Sequence, residues 1–414
     1  MTNFSIGFVG ISHLSITYGL AAASKNYKII NYDSKNEIEK FYDGKKFLIM
    51  EPGFNVFLKK FNNNIIFTSH ATKLEKCKIL FIGKDILTNK LGKSSYRKIN
   101  YLIKKITHLK KRPILVILSQ VYPGFTRKID WPKEKLFYQV ETLIFGQALF
   151  RAINPERIIV GSCSKDNQLK NIFFKFLKNF SKNIIHMNYE SAELCKLSIN
   201  AYLISQVTLT NKLNEISRTL NSSWEDIKKA LLLDKRIGRD AYISPGLGIS
   251  GGNLERDLVT LKTICNRKNI NTDLFNVYKN YSYFYKNWIS QQINKIDKNK
   301  LVISVVGITY KANTNSIKNS ASVYFIKKNL QHSYKIYDPL VQNIPLFNNK
   351  KIIRIHKLDK NFLRSDVIVI FNLYKNIYPF LKKNIKTNQK IVIIDPYKLM
   401  KITFVKNLKK YITL

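Results

Sequence analysis

Ile6-Gly7-Phe8-Val9-Gly10-Ile11-Ser12-His13-Leu14-Ser15 sets a short apolar strand against a glycine turn and the opening of a helix. That order is the first step of a dinucleotide-type βα unit. There the fingerprint G-x-G-x-x-G lets the backbone approach a pyrophosphate at the helix N-terminus. Of the three glycines only Gly10 is present. Ser12 puts a side chain where the second belongs, and Ser15 puts one where helix and strand pack closely. Alone the motif is weak. Asp33 strengthens it, because it ends the second apolar run, where a carboxylate would bond the ribose hydroxyls of NAD and disfavour the 2′-phosphate of NADP. A helix-capping aspartate is the other reading of that position.

Outward from this turn, short apolar runs alternate with amphipathic stretches through the first 180 residues, the pattern of βα units on a parallel sheet. Strands are expected at Ile6–Val9, Lys28–Tyr32, Ile79–Ile82, Ile114–Leu118, Ile158–Val160 and Ile184–Met187. Between residues 190 and 232 the period becomes helical, with Ala192, Cys195, Ile199, Leu203 and Val207 three and four apart. Asn221-Ser222-Ser223 then starts a further helix, with Ser223 as N-cap and Asp226 three residues on. Polar Asp297–Lys300 marks a linker. A second βα series follows, with strands at Leu301–Val306, Tyr334–Tyr337, Val367–Phe371 and Ile391–Ile394. The fold class is α/β: two Rossmann-like βα domains joined by a long central helix and a helical middle domain.

A 414-residue chain with 45% hydrophobic and 12% aromatic residues can bury several cores and is not of the disordered class. Its 70 Lys+Arg against 27 Asp+Glu give a formal charge of +43, which would attract polyanions, anionic membranes or phosphorylated metabolites. The basic residues are spread through lysine- and asparagine-rich text and form no arm or helix face. A compositional bias of the kind an AT-rich genome imposes accounts for them, and no specific nucleic-acid signature accompanies them. Cys77, Cys163, Cys195 and Cys265 have no metal-ligand spacing and read as reduced core residues. Met1-Thr2-Asn3 leads into a strand without a signal-peptide layout. No apolar run approaches the ~18 residues of a membrane span. Expected, then, are a cytoplasmic location, no membrane insertion and no metal.

Pro245-Gly246-Leu247-Gly248-Ile249-Ser250-Gly251-Gly252-Asn253-Leu254-Glu255-Arg256-Asp257 carries the chemistry. It resembles the PGxGxGGSCxPKD loop of the UDP-glucose/GDP-mannose dehydrogenase family. Further segments match that family in order: Glu51-Pro52-Gly53 its EPG turn, Ser119–Thr126 its STVPxGT, Asn154–Gly161 its NPxRxxxG, and Ala192–Ala201 its AExxKxxxNA. Arg236-Ile237-Gly238 precedes the loop as in the family. Gly307–Thr314 resembles GxxFKxxT, and Asp338-Pro339 its DP. The resemblance implies an NAD-binding domain at 1–185, a central helical dimerisation domain with the catalytic loop at 186–298, and a nucleotide-sugar-binding domain at 299–414. It also implies a homodimer through the helix near 190–215.

Family enzymes oxidise the C6 alcohol of a UDP- or GDP-linked hexose to a carboxylate with NAD. Their cysteine captures the intermediate aldehyde as a thiohemiacetal, and a hydrolysed thioester follows. By this resemblance Lys196 and Asn200, four apart and so on one helix face, stabilise oxyanions. Asp257 handles protons, and Glu141 is the first glutamate of the PEFxxEG segment. Gly10, Ser12, Asp33, Ser119 and Gln120 would face the cofactor; Gly248, Gly251, Gly252 and Lys311 would face the substrate. A solvated Lys196, an Asn200 bonded to backbone and an Asp257 capping the next helix are the plainer readings.

The departures fall on the same chemistry. Asn253 stands at the nucleophile, and its amide can exchange hydrogen bonds but cannot form a thiohemiacetal. Gln120 stands for the water-holding threonine, Phe145 for the second glutamate and Arg256 for the loop lysine; Asn315-Ser316-Ile317-Lys318 replaces a DDxR run. The expectation is a family oxidoreductase impaired in, or lacking, the aldehyde-to-acid step. The alternative is an inactive paralogue that binds nucleotide-sugar or NAD, or partners an active subunit.

Overall fold

The computed structural model describes residues 4–89, 92–164, 172–296, 298–341, 345–385, 391–400 and 410–414. Met1–Asn3 and Asp297 of the expected linker lie outside the described residues. The chain divides into two compact units, Met1–Ile199 and Asn200–Leu414.

The first unit is built on a sheet of β1 (Ser5–Val9), β2 (Lys28–Tyr32), β3 (Ile65–Thr68), β4 (Cys77–Ile82), β5 (Ile114–Ile117), β6 (Leu136–Gln139), β7 (Ile158–Ser162) and β8 (Ile184–Asn188). Their order is β8-β7-β6-β5-β4-β1-β2-β3, parallel except where Tyr138 of β6 faces Gly161 of β7 antiparallel. The order reverses between β1 and β4, which makes the carboxyl ends of these strands the topological switch point. Runs such as Ile79-Leu80-Phe81-Ile82 are buried on both faces, as parallel strands under helices must be. Phe8, Phe81, Phe137 and Phe173 fill one side of the sheet and Val9, Leu80, Leu115 and Tyr138 the other. Helix α1 (His13–Ala23) returns over β1 and β2, its alanines buried where a larger side chain would push it off the sheet.

Helix α2 (Tyr189–Thr219) runs 31 residues from the first unit into the second. Ala192 is buried in the first core and Ile204 in a small cluster of the second. Along its second half the polarity is inverted: Asn211, Asn214 and Ser217 are buried, while Tyr202, Leu209, Leu213 and Ile216, followed by Leu220 just past its end, are exposed. Leu203 and Val207, expected to face the core, are only half-buried. Ser223 caps α3 (Trp224–Leu233) by accepting from Asp226 N–H, as expected. Helices α4 (Gly252–Arg267) and α5 (Asp273–Lys286) complete the helical part.

The second sheet contains β9 (Val302–Val306), β10 (Ser333–Tyr337), β11 (Ile352–Ile355), β12 (Val367–Ile370), β13 (Val392–Ile394) and β14 (Lys410–Ile412). Its order is β11-β10-β9-β12-β13-β14, all parallel. The same reversal recurs between β9 and β12, so each unit carries a dinucleotide-type sheet. No helix of the described residues is long and apolar enough to cross a membrane. None of the four cysteines is in a disulfide; Cys77 and Cys265 are buried, and Cys163 and Cys195 are half-buried. Burial pushes the Cys77 thiol up to about 12.

Candidate active site

In the first unit Gly10 leaves β1 with φ +89°, a left-handed turn that favours glycine, and donates its N–H to Tyr32 O at 2.8 Å. Ser12 caps α1 in a reciprocal box: Ser15 N–H donates to Ser12 Oγ at 3.3 Å and Ser12 N–H to Ser15 Oγ at 2.8 Å. Ser12 Oγ also donates to Gly83 O, just past β4. Asp33 Oδ2 accepts Ile11 N–H at 2.8 Å, and its Oδ1 accepts Ser34 N–H at 2.8 Å. The next short helix is capped by Ser34, so the capping reading of Asp33 is wrong. The buried Lys84 ammonium reaches the same carboxylate at 2.7 Å, Glu37 at 2.6 Å and Ile11 O at 2.9 Å. The sequence reading contains no role for Lys84. In the sequence it is one residue among 70 Lys+Arg, two positions past β4.

Around that turn the family segments hold loops together. Glu51 accepts from His13 Nε2 at 2.9 Å, Gly146 N–H at 3.0 Å and Ala148 N–H at 2.8 Å. Burial pushes its carboxyl up, but these bonds outweigh burial and hold it below the ordinary range. Phe145 packs on the His13 ring, 4.3 Å between centroids. Ser119 is fully buried and donates its hydroxyl to Lys84 O at 2.7 Å; Gln120 beside it is buried as well. Glu193 accepts Gly124 N–H at 2.5 Å and Thr126 N–H at 2.8 Å, fixing the segment after β5. Burial raises the Glu193 carboxyl against the pull of those donors. Lys196 pairs with Glu141 at 2.9 Å, and Glu141 also accepts Leu143 N–H at 3.0 Å. Lys196 is therefore neither solvated nor isolated.

In the second unit the glycine-rich loop is pinned at each step. Asn211 of α2 clamps Gly246, accepting its N–H at 2.8 Å and donating to its carbonyl at 2.9 Å. Gly248 has φ +74°, and a Cβ there would lie 2.5 Å from Ser282 O, so only glycine fits. Ser282 Oγ accepts Ile249 N–H at 2.9 Å. Asn319 donates to Ile249 O and Gly251 O at 3.3 and 3.1 Å, and buried Lys286 donates to Asn319 Oδ1. Burial lowers the Lys286 ammonium to about 8, while Glu255 opposes the shift. Gly251 is the N-cap of α4 with φ +79° and lies under the Tyr310 ring; Lys318 runs along Gly252.

The segment after Gly251 is helix, not loop. Asn253 sits in the first turn of α4 with its side chain exposed, and Asp257, 1% exposed, lies one turn on. Asp257 is thus inside the helix, and its reading as an N-cap is corrected. Its two oxygens accept from Asn200 Nδ2 and from Arg256 Nε, the latter at 3.1 Å. Asn200 accordingly bonds a carboxylate and not backbone. A helix N-terminus stabilises anions, so a thiol at position 253 would be activated there; an amide gains no reactivity.

The second sheet repeats the first turn. Gly307, φ +81°, donates to Tyr337 O at 2.9 Å; Asp338 Oδ2 accepts Ile308 and Thr309 N–H at 2.8 and 3.3 Å. Asn372, just past β12, donates to Thr309 O and Thr309 Oγ1, both at 3.0 Å. Thr309 Oγ1 in turn donates to Lys311 O at 3.0 Å, and the Lys311 ammonium lies over the Tyr310 ring. Among the expected site residues, Lys196 and Glu141 meet in the first unit, and Asn200 and Asp257 meet in the second. Among the described residues no group of three His, Cys, Asp or Glu could hold a metal.

Two dinucleotide-type sheets and a glycine loop opening a helix with a bonded aspartate define a two-unit Rossmann-like α/β class. Comparison with known proteins then gives the family. The UDP-glucose/GDP-mannose dehydrogenase family matches at residues 4–180 (NAD binding domain), 190–281 (central domain) and 304–401 (UDP binding domain). This chain belongs to that family. It is 25% identical over 392 residues to a UDP-glucose 6-dehydrogenase of Rickettsia bellii, covering 88% of each chain. With the Campylobacter jejuni UDP-glucose 6-dehydrogenase it shares 29% over 263 residues, 61% of this chain and 65% of that protein. The structure of a UDP-glucose dehydrogenase from Pyrobaculum islandicum has the same fold, with TM-score 0.84 at 17% identity, over 99% of this chain and 97% of that one.

NAD is the cofactor for which the family's first domain is built. Such a cofactor takes N–H groups at the helix N-terminus and the acid after β2. Here Ile11, Ser12 and Ser15 N–H all donate within the protein, and Asp33 is held by Lys84. NAD is the cofactor of this family, and in this arrangement part of its site at the turn is engaged within the chain.

Proposed function

We propose that this chain is an NAD-dependent nucleotide-sugar oxidoreductase acting on the C6 alcohol of a UDP- or GDP-linked hexose, without an effective aldehyde-to-acid step. The observation that carries the reading is the buried Asn200–Asp257–Arg256 group one turn from Asn253. In this reading Asp257 exchanges the proton, and Asn200 and Arg256 hold its carboxylate in one orientation. Asn253 has no atom that adds to an aldehyde as a thiolate does, so acid formation lacks its covalent intermediate. Nucleophile deletion costs on the order of 10⁶ in other covalent enzymes.

The domain roles follow the family division at 1–185, 186–298 and 299–414, with Gly248, Gly251, Gly252 and Lys311 toward the sugar nucleotide. The exposed stripe Tyr202, Leu209, Leu213 and Ile216, continued by Leu220, supports a homodimer through α2, because four large apolar side chains on one helix face are normally covered. A second reading, an inactive paralogue that binds the sugar nucleotide, is favoured by the self-bonded first βα turn.

The test supplies UDP-glucose or GDP-mannose with NAD and separates the products. Aldehyde without acid is expected, and Asn253→Cys should raise acid output. Efficient carboxylate formation by the unaltered protein would overturn the impaired second step. Sugar-nucleotide binding with no turnover would select the inactive reading.

A further inference from the structure

Lys84 occupies the switch point of the first sheet. Gly10 brings the chain from β1 to α1 there, and an added Cβ on Gly10 would lie 3.0 Å from Lys84 Cβ and 3.2 Å from its Cδ. Leu102, whose Cδ1 would lie 2.7 Å from that Cβ, and the lysine stem thus pack together against the glycine that makes the tight turn. The ammonium donates to Ile11 O, Asp33 Oδ2 and Glu37 Oε2 at 2.9, 2.7 and 2.6 Å, which saturates its three protons. Ser119 Oγ donates to Lys84 O at 2.7 Å and fixes its backbone. The N–H groups of Ile11, Ser12 and Ser15 and both oxygens of Asp33 are thus engaged within the chain.

We propose that Lys84 is an internal occupant of the dinucleotide cradle, and that cofactor binds only when its pairs with Asp33 and Glu37 are exchanged. The inference rests on the first unit being the family's cofactor domain, and it deepens the proposed function by naming what restrains that domain. Apparent affinity is then lowered by the small fraction of molecules in which the lysine has left the turn. Removing the ammonium while keeping the stem's bulk frees the Asp33 carboxylate for ribose hydroxyls.

Calorimetric titration of the full chain with NAD tests this directly. Lys84→Met should bind NAD roughly tenfold more tightly, or better, than the unaltered protein. Glu37→Gln keeps the lysine but removes one anchor, and should give a smaller gain. It also serves if Lys84→Met fails to fold. Unchanged or weaker binding in the folded variants overturns the proposal; weaker binding would mean that the lysine holds the cofactor. Titration of the same samples with UDP-glucose reads the proposed function separately. Loss of sugar-nucleotide binding in every sample defeats that reading without altering the NAD comparison.

Discussion

The two βα turns, at Gly10 and at Gly307, use one device with different final residues. In each, a left-handed glycine donates to the tyrosine carbonyl that ends the second strand, at 2.8 and 2.9 Å. Each also has an aspartate just past that strand accepting the N–H after the glycine, at 2.8 Å in both cases. Asp33 and Asp338 are therefore structural staples before they are anything else. The difference lies across the switch point, where the first turn has Lys84 and the second Asn372. A cation bound to two carboxylates makes the first turn an electrostatic lock; a neutral amide bonded to Thr309 makes the second an ordinary crossing. A position that could serve a ligand is not thereby available to one.

The comparison can be broken most sharply at the aspartates. Asp33→Ala strands a buried ammonium and leaves Ile11 N–H unpaired. A loss of about 3–5 kcal/mol in unfolding free energy is expected, tempered by the remaining Glu37 pair. Asp338→Ala removes only an acceptor for the N–H groups of Ile308, Thr309 and Leu340, and should cost about 2 kcal/mol. Hydrogen exchange read peptide by peptide assigns each loss to its own sheet. A larger loss for Asp338→Ala would mean that the lock is not the stronger of the two.

Acid should separate the turns as well. Hydrogen bonds from Lys40 and then Lys84 hold Glu37 at about 2, below its ordinary 4.5. A carboxyl depressed in the folded state contributes stability that is fully present above pH 4.5 and lost as pH falls toward 2. Protection of β1 and β2 should therefore fall through that window, by on the order of 1–2 kcal/mol once surface screening is allowed for. Glu37→Gln should flatten the fall, while β9 and β10 show no equivalent step from this group. An unaltered acid profile in Glu37→Gln would remove the carboxylate from the lock.

Much of the fold was legible because parallel strands buried on both faces must be apolar throughout; Ile114–Ile117 and Val367–Ile370 stand out for that reason. β3, β6 and β11, each of 4 residues, are absent from the expected strands. The site was legible through its glycines, whose positive φ and close contacts leave no alternative residue. What could not be read was where the loop becomes helix. Gly251-Gly252 looks like more loop, and that ambiguity misplaced Asp257 as a cap. Lys84 was invisible for a different reason: in a chain of 70 Lys+Arg, one lysine carries no signal until its distances to Asp33 and Glu37 are known.

The smallest expected effect belongs to Asn372, and it sharpens the comparison from the neutral side. Its amide donates only to Thr309, at O and Oγ1, and no charge depends on it. Asn372→Ala keeps the Cβ that packs near Gly307 and removes those donors, so about 1 kcal/mol should be lost. The loss should stay local, because Thr309 still donates to Lys311 O and Asp338 still holds the turn. Exchange should quicken at residues 308–311 while the strands of the second sheet keep their protection. If protection instead falls across β9, β10 and β12 together, the amide is as integral to its turn as Lys84 is to the first. The contrast between a charged lock and a neutral crossing would then fail.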